Sequence, residues 1–256
     1  VINLNGNYQH IAYVVMGSAL DLKGKARDAI KIYEEGLIHF PGSNLLNYNL
    51  ALTALNIREY EVSEAAAIRA INAKPVHGSS HLVLAGIMQE KQENVKAILP
   101  LYYFLMLEPK TERSAPNLKS LKAMLISGVK EKSANNINLN LSSASLKDTV
   151  WGAAEMMLGL TGANRYTDEG RKKTEMEYFI QTTHDLFSFL GEIRKNNTGH
   201  WWDLYVSRFN NLVETNNCEA FCYYISQSEN SPEIKSWIIN NPDKIAAFQE
   251  WLKKLN

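Results

Sequence analysis

Three prolines in the first half of the chain recur at a fixed interval, because Pro41, Pro75 and Pro109 stand 34 residues apart. Each follows a stretch in which apolar residues are spaced as on one face of an α-helix. Proline has no N–H for the helical hydrogen-bond ladder and disfavours helical geometry in the residue before it, so each proline is expected to end a helix. An interval of this length holds two helices and two turns. The sequence therefore predicts a helix-turn-helix repeat that is present three times.

Small residues recur in the same phase as the prolines. The first helix of each repeat carries Gly17, Ala51 or Ala85, and the second carries Ala29, Ser63 or Ala97. Two antiparallel helices approach closely only where neither carries a large side chain. These columns therefore predict where the two helices of each repeat touch.

The spacing and the small-residue columns together resemble the tetratricopeptide repeat, a helix-turn-helix motif of 34 residues. The resemblance, to bacterial members of that family with a helical carboxy-terminal region, implies an all-α solenoid with repeats at 10–43, 44–77 and 78–111. The large residues of the family pattern are mostly replaced in this chain. Asn47 and His81, for example, stand in the column of Tyr13.

The helices of the three repeats are expected at 10–22, 26–39, 44–57, 61–73, 79–92 and 94–107. Gly24 is expected in the first turn. Pro100 lies inside the last of these helices and should kink it or mark a later start. Residues 1–9 are short and polar and are expected to be a frayed lead into the first helix.

Beyond Pro109 the repeat is lost. The apolar spacing at 115–131 predicts a helix that caps the solenoid, so the segment 112–132 is assigned to a capping helix. Residues 133–145 alternate polar and apolar side chains, but no partner strand is evident, and an extended connector is expected. Residues 146–256 are expected to form a helical carboxy-terminal domain.

Helices of the carboxy-terminal domain are expected at 146–160, 168–196, 199–215 and 217–227. Two further helix starts follow, because Ser231 precedes Pro232 and Asn241 precedes Pro242. Ser and Asn are favoured N-cap residues, and proline is favoured at the first helical position.

Charge and composition exclude several functions. Lys plus Arg equal Asp plus Glu at 27 each, so no overall field favours nucleic acid. No apolar run approaches the length of a membrane span. The chain begins at Val1 rather than Met, which favours a removed N-terminal signal and a periplasmic or outer-membrane-associated location over a cytoplasmic one.

The resemblance also implies a binding site. In this family the first helices of successive repeats line a concave groove, and the residues at the matching positions here are Ile11, Val14, Ser18, Leu45, Tyr48, Asn49, Leu52, Leu55 and Leu82. The centre of this groove is apolar. It suits an extended or helical peptide with aliphatic or aromatic side chains, with Asn49 free for a backbone hydrogen bond. Alternatively, the protein's own carboxy-terminal helices fill it.

One family use is disfavoured. The carboxylate clamp for chaperone tails needs Lys and Arg along these columns, whereas this chain has Val14, Ser18, Ser79 and Val83. The expected function is thus an interaction or assembly scaffold for a protein or peptide partner.

Other candidate groups favour structural roles. Cys218 and Cys222 share a helical face without a nearby third ligand, which favours half-buried thiols over a metal pair. His77 and His81 are interpreted as surface or cap histidines. No cofactor or metal is expected.

The segment from His200 to Asp203, with sequence HWWD, is the alternative. It suggests glycan binding or hydrolysis, although at least one of its two tryptophans is expected in the core. No nucleophile motif, carboxylate pair or phosphate-binding glycine loop accompanies it. The chain is therefore not expected to be an enzyme.

Overall fold

The computed structural model describes residues 8–133, 136–139, 142, 147–194 and 197–254. The chain divides into two compact units, 1–91 and 92–256. The described residues contain thirteen α-helices, so the fold is all-α apart from one pair of short strands between α7 and α8. Of the predicted N-terminal lead at 1–9, residues 1–7 lie outside the described residues.

The first unit contains five helices, each of which packs against the next: α1 (Gln9–Leu22), α2 (Ala26–His39), α3 (Asn44–Asn56), α4 (Tyr60–Ala73) and α5 (Gly78–Glu90). In addition, α3 contacts both α1 and α5. Consecutive packing of this kind is a helical-repeat arrangement. The predicted positions of these helices are confirmed within two residues.

In the first two repeats, the small residues lie where the two helices of the pair approach. A Cβ atom added to Gly17 would stand 2.2 Å from Cε1 of Tyr33, which is buried on α2. In the second pair, the Ser63 hydroxyl on α4 donates a hydrogen bond of 2.6 Å to the carbonyl of Ala51 on α3. A larger side chain at any of these positions would separate the two helices.

The turn inside each repeat has a left-handed residue at the same place. Gly24, Arg58 and Gln92 are 34 residues apart and have φ of 73°, 62° and 59°. The conformation of the residue that ends the second helix also recurs, because Phe40 and Lys74 have similar non-helical angles, with φ of −133° and −149° and ψ of 62° and 84°. The backbone therefore follows the same period as the prolines.

The second unit is built from eight helices and the strand pair. The helices are α6 (Asn94–Leu107), α7 (Ser114–Ile126), α8 (Thr149–Ala163), α9 (Glu175–Arg194), α10 (Ser207–Glu214), α11 (Cys218–Ile225), α12 (Pro232–Asn240) and α13 (Pro242–Lys253). Short 3-10 turns occur at Asn164–Tyr166, Gly170–Lys172 and Gln227–Glu229, and a π-helical segment, Trp201–Val206, precedes α10.

Aromatic side chains form the centre of the second unit. Phe187 and Phe209 stack with ring centroids 4.6 Å apart, and both rings contact Tyr102 of α6. The buried Tyr102 hydroxyl bonds to Oγ1 of Thr183 at 2.6 Å, and Thr183 donates in turn to the carbonyl of Phe179. The buried hydroxyls of Tyr102 and Thr183 thus both have a hydrogen-bond partner. Helix α6 continues through Pro100 from its start at Asn94, so Pro100 does not mark a later start.

The capping helix is shorter than predicted, and part of the connector is a strand. Helix α7 ends at Ile126, after which β1 (Val129–Ser133) pairs antiparallel with β2 (Asn136–Leu139). The alternation of polar and apolar residues that includes Ile137 and Leu139 therefore indicated a strand. Its partner was missed because β1 has the sequence VKEKS, with one apolar residue. The rest of the predicted connector, apart from Ser142, lies outside the described residues.

The prediction of a long helix at 168–196 is wrong about where the helix starts. Helix α9 begins at Glu175, where Thr174 and Glu177 form a capping box: the Thr174 amide donates to Oε2 of Glu177 at 2.7 Å, and the Glu177 amide donates to Oγ1 of Thr174 at 3.2 Å. Hydrogen bonding to Thr174 holds the pKa of Glu177 below its usual value. The acidic residues at 168–169 lie between the two 3-10 turns instead.

Helix starts near the carboxy terminus agree with the sequence, but one cap works differently. The Ser231 hydroxyl accepts a hydrogen bond from the Ile234 amide, as expected of an N-cap. Asn241 instead donates to the carbonyl of Trp237 at 2.8 Å and so bonds the end of the preceding helix. Helix α8 starts three residues later than predicted, because the Asp148 carboxylate caps it by accepting from the amides of Val150 and Trp151.

Among the described residues, no helix combines the length and the apolar character needed to cross a membrane.

Candidate functional site

The nine residues predicted to line the groove all lie on the first helices of the repeats. Ile11, Val14 and Ser18 are on α1, Leu82 is on α5, and the remaining five are on α3: Leu45, Tyr48, Asn49, Leu52 and Leu55. Since α3 contacts both α1 and α5, these residues belong to adjacent helices. We call this set the first-helix face.

No residue of the first-helix face is fully buried. Ile11 and Leu45 are exposed, each with 39% of its surface accessible, and the other seven are half-buried. The residues that alternate with them are core, because Leu46, Leu50 and Ala54 of the same helix are almost completely buried. Helix α3 thus presents two apolar surfaces, one that packs and one that remains in part accessible to water.

The apolar side chains of the face touch neighbours from adjacent helices. The ring of Tyr48 meets the ring of His77 edge-on at 5.1 Å. Leu55 lies over Gly86 of α5, where an added Cβ would be 3.6 Å from Cδ2 of Leu55. The absence of a side chain at Gly86 leaves Leu55 unobstructed on that side.

Polar groups at the face are few and are engaged locally. Ser18 Oγ and Tyr33 Oη share a hydrogen bond of 3.2 Å. Asn49 donates from its amide nitrogen to the Leu45 carbonyl one turn earlier, at 2.8 Å, so only part of its hydrogen-bonding capacity is left for a ligand. None of the nine residues carries a charge.

A recess of about 590 Å³ adjoins the Leu45 end of the first-helix face. It is lined by Leu45 together with His10, Phe40, Lys74 and residues at the start of α3. Sequence reasoning missed this recess because its residues come from α1, from the start of α3 and from two inter-helix connections. The repeat positions that located the face say nothing about how such segments meet.

The histidine pair near the second repeat has structural contacts. Nδ1 of His77 lies 2.8 Å from the Ser80 hydroxyl, at the N-cap position of α5. His81 is completely buried, and its Nε2 lies 2.8 Å from the Pro75 carbonyl. The prediction of surface or cap histidines is therefore wrong for His81, whose column faces the core.

The two cysteines are more deeply buried than predicted. Cys218 and Cys222 are 4% and 0% exposed, and both thiols are free. Burial raises the pKa of the Cys222 thiol well above its ordinary value, so it stays protonated. In the described parts of the chain, no group of three or more His, Cys, Asp or Glu side chains is placed to hold a metal ion.

The HWWD segment forms the start of the π-helical segment before α10. Trp202 is buried, as expected for one of the two tryptophans, while Trp201 is half-buried. The Asp203 carboxylate accepts from the Gly199 amide at 2.8 Å and lies 3.5 Å from Arg194. Burial lowers the pKa of His200 to about 4, so this imidazole is neutral at pH 7.

Trp201 of this segment forms an aromatic pair with Trp151 of α8, and both half-buried rings lie beneath a lysine. Trp151 and Trp201 meet edge-on at 6.3 Å, and Nζ of Lys96 lies 5.4 Å and 5.9 Å from their ring centroids. Lys96 also forms an ion pair with Glu93. The ring faces on which a sugar would stack are thus occupied by a paired cation.

Comparison with protein-family models, with curated proteins and with solved structures finds no match to this chain. The residues themselves therefore carry the functional argument.

Proposed function

We propose that this protein is a non-enzymatic interaction scaffold of the tetratricopeptide type, and that its first-helix face binds a segment of a partner protein. The segment presents aliphatic or aromatic side chains in an extended or helical conformation. Tyr48, Leu52 and Leu55 form the centre of the site. Leu45, Ile11 and Leu82 extend it on either side.

The backbone period supports the tetratricopeptide type. Left-handed residues recur at Gly24, Arg58 and Gln92, in the turn between the two helices of each repeat. Recurrence of one backbone conformation at the proline interval is what a 34-residue structural repeat requires. The close contact of Gly17 with Tyr33 fits the small-residue column of that repeat.

The observation that carries the binding proposal is the partial exposure of the apolar first-helix face. Its residues remain partly accessible among the residues that the structure describes, and a row of partly exposed large apolar side chains is typical of an interaction surface. The main packing surface of α3 consists of other residues, among them Leu46, Leu50 and Ala54, which are almost completely buried.

The chemistry of the face favours an internal apolar segment over a charged chain end. None of the nine residues is a Lys or an Arg, and a terminal carboxylate needs such cations to be held strongly. Binding through this face should therefore depend weakly on salt.

The test compares pull-downs from the native organism with three tagged proteins. These are the wild type, the face variant Tyr48→Ala/Leu52→Ser, and a control variant Ile38→Ser/Val62→Ser on the exposed surface of α2 and α4. A partner captured by the wild type and the control but lost by the face variant is expected. A partner lost by the control variant alone would move the site to the second helices.

A second arm removes dependence on the cellular source. A displayed library of random peptides is selected against the wild type and counter-selected against the face variant. Enrichment of peptides with aliphatic or aromatic residues in a helical or alternating spacing is expected. Enrichment of acidic chain ends would instead contradict the proposed chemistry.

A further inference from the structure

One side of helix α1 is apolar and faces water. The exposed fraction is 69% for Tyr8 at the N-cap, 60% for Val15 and 90% for Leu22 at the last position. Ile11 and Ala19, which lie between them, are exposed as well. Residues three or four apart stand on one side of a helix, because 3.6 residues complete a turn. We call these five residues the α1 stripe.

The α1 stripe lies on the side of the helix that does not pack. Tyr13 and Gly17 are the buried residues of α1, and both lie against α2. At about 100° per residue, these two stand on the side of α1 opposite Val15. The spacing of the stripe is visible in the sequence, but the structure is needed to show that this side is the one left facing water.

The exposed positions of the neighbouring helix are of the opposite kind. Between positions 26 and 35 of α2, every exposed residue is charged: Arg27, Asp28, Lys31, Glu34 and Glu35. Helix α1 contains one charged residue, Asp21, which accepts a hydrogen bond of 3.1 Å from Thr53 of α3 and so faces away from the stripe. The terminal repeat of a solenoid normally has a polar outer face. An apolar stripe without charge at this end is typical of a surface that another chain covers.

The spacing within the α1 stripe is the same in both directions. From Tyr8 to Leu22 the steps are three, four, four and three residues, so the stripe is symmetric about Val15. A contact between identical chains about a two-fold axis requires such self-complementarity. In an antiparallel pair of α1 helices, Val15 meets Val15 of the second copy, Ile11 meets Ala19, and Tyr8 meets Leu22. Large and small side chains then alternate, and no like charges of the stripe are brought together.

We propose that the α1 stripe is the contact between two copies of this chain, with their α1 helices antiparallel and a two-fold axis at Val15. This inference goes beyond the proposed function, because Tyr48, Leu52 and Leu55 of α3 take no part in the contact. Ile11 is the one residue that the α1 stripe shares with the first-helix face.

The size of the contact predicts a weak dimer. Helix α1 has 14 residues and is therefore about 21 Å long. A single pair of such helices buries less than the roughly 800 Å² per partner that is usual in stable complexes. The dissociation constant of the dimer should be about 10–100 μM.

The test is sedimentation equilibrium of the full chain between about 2 μM and 500 μM, a range that spans this constant. The wild type should change from a mass of 28.9 kDa towards twice that mass as the concentration rises. Val15→Lys should weaken the dimer at least about tenfold, because two ammonium groups would meet at the axis. Its melting temperature at low concentration should equal that of the wild type, since Val15 is exposed.

The matched control is Ile38→Lys, which adds the same charge at a residue of α2 that is 78% exposed. Ile38→Lys should dimerise like the wild type. The face variant Tyr48→Ala/Leu52→Ser should also dimerise, so loss of partner binding and loss of the dimer are measured separately. A wild type that stays monomeric up to about 500 μM, or equal weakening by Val15→Lys and Ile38→Lys, would overturn the proposal.

Disulfide cross-linking tests the position of the axis. Val15→Cys should form a covalent dimer under oxidising conditions, because a disulfide joins Cα atoms up to about 7 Å apart. Leu22→Cys should not, although Leu22 is more exposed, since antiparallel helices hold the two copies of this residue about 21 Å apart. Both native cysteines are buried and should add little background. Cross-linking through Leu22→Cys alone, or a dimer that forms only after residues 1–7 are removed, would contradict the proposal.

Discussion

The two units of the molecule build their interiors from opposite kinds of side chain. In the first unit the helices of a pair close on small residues, and five alanines are completely buried there: Ala29, Ala51, Ala54, Ala66 and Ala70. In the second unit the interior is aromatic, with Tyr102, Phe187, Phe209 and Phe221 completely or almost completely buried. In the first unit, close packing requires that the side chains between paired helices are small. In the second unit, it requires that large rings fill the interior.

This difference predicts opposite sensitivities to mutation. A small-residue contact is damaged by added atoms, because both backbones must move apart. An aromatic cluster is damaged by removed atoms, because rigid neighbours cannot collapse into the cavity. Helix α6 belongs to the second kind, since its Tyr102 contacts the rings of Phe187 and Phe209.

The largest effect is expected at the centre of the aromatic cluster. Phe209→Ala removes a fully buried ring that stacks on Phe187, and should lower the free energy of unfolding by about 3–5 kcal/mol. Urea denaturation measures this change. Phe209→Leu, which keeps most of the apolar volume, should cost clearly less. Similar losses for the two variants would show that the cluster depends on ring geometry rather than on volume.

A smaller effect, caused by added rather than removed atoms, is expected in the first unit. Gly17→Ala adds one methyl group 2.2 Å from the Tyr33 ring and should destabilise by about 1–3 kcal/mol, although alanine favours helix. Gly42→Ala is the matched control, because no atom lies within 4 Å of its added Cβ. Equal melting temperatures for the two variants would contradict the interpretation that a small residue is needed at position 17 for α1 and α2 to pack closely.

Titration of His200, a residue of the second unit, should make stability depend on pH. Burial lowers its folded-state pKa to about 4, below the ordinary value of 6.5, so the unfolded chain binds the proton more tightly between these values. Stability should therefore fall as the pH is lowered through this window, by about 1 kcal/mol between pH 6.5 and pH 5.5. His200→Gln should remove this part of the pH dependence, whereas His184→Gln, an exposed histidine of α9, should retain it.

The smallest effect is expected in the turn of the second repeat. Arg58 has φ of 62°, a left-handed conformation that glycine adopts without strain and that Gly24 occupies in the first repeat. Arg58→Gly should leave stability unchanged or raise it by up to about 1 kcal/mol. Lys31→Gly, in the middle of α2, should instead cost about 1 kcal/mol. Destabilisation of similar size at both positions would contradict a strained turn.

The two units also differ in how far the sequence predicts them. In the first unit, proline and the small residues repeat, so several weak signals agree on the helix bounds. In the second unit, each element occurs once. The start of α9 was misplaced because the acidic pair Asp168–Glu169 suggested a helix N-terminus, whereas the capping box at Thr174 decides it. The β-pair was missed because β1 has almost no apolar residues.

The sequence also predicts some features of the candidate site better than others. The resemblance to the tetratricopeptide repeat placed all nine residues on the first helices, because the 34-residue period carries each position from one repeat to the next. The sequence could not reveal the recess beside Leu45, because the recess depends on contacts between distant segments. The sequence analysis also interpreted His81 as a surface or cap residue. In the structure His81 is buried, like Tyr13 at the same position of the first repeat.

The most direct test of the central proposal is the free energy of unfolding of Tyr48→Ala/Leu52→Ser, measured by urea denaturation. If the first-helix face is an open surface, these half-buried side chains contribute little to folding. The loss should then be about 1 kcal/mol for each residue. A loss of about 2–5 kcal/mol for each residue would contradict the account, because it would mean that both side chains belong to the core and leave no room for a partner.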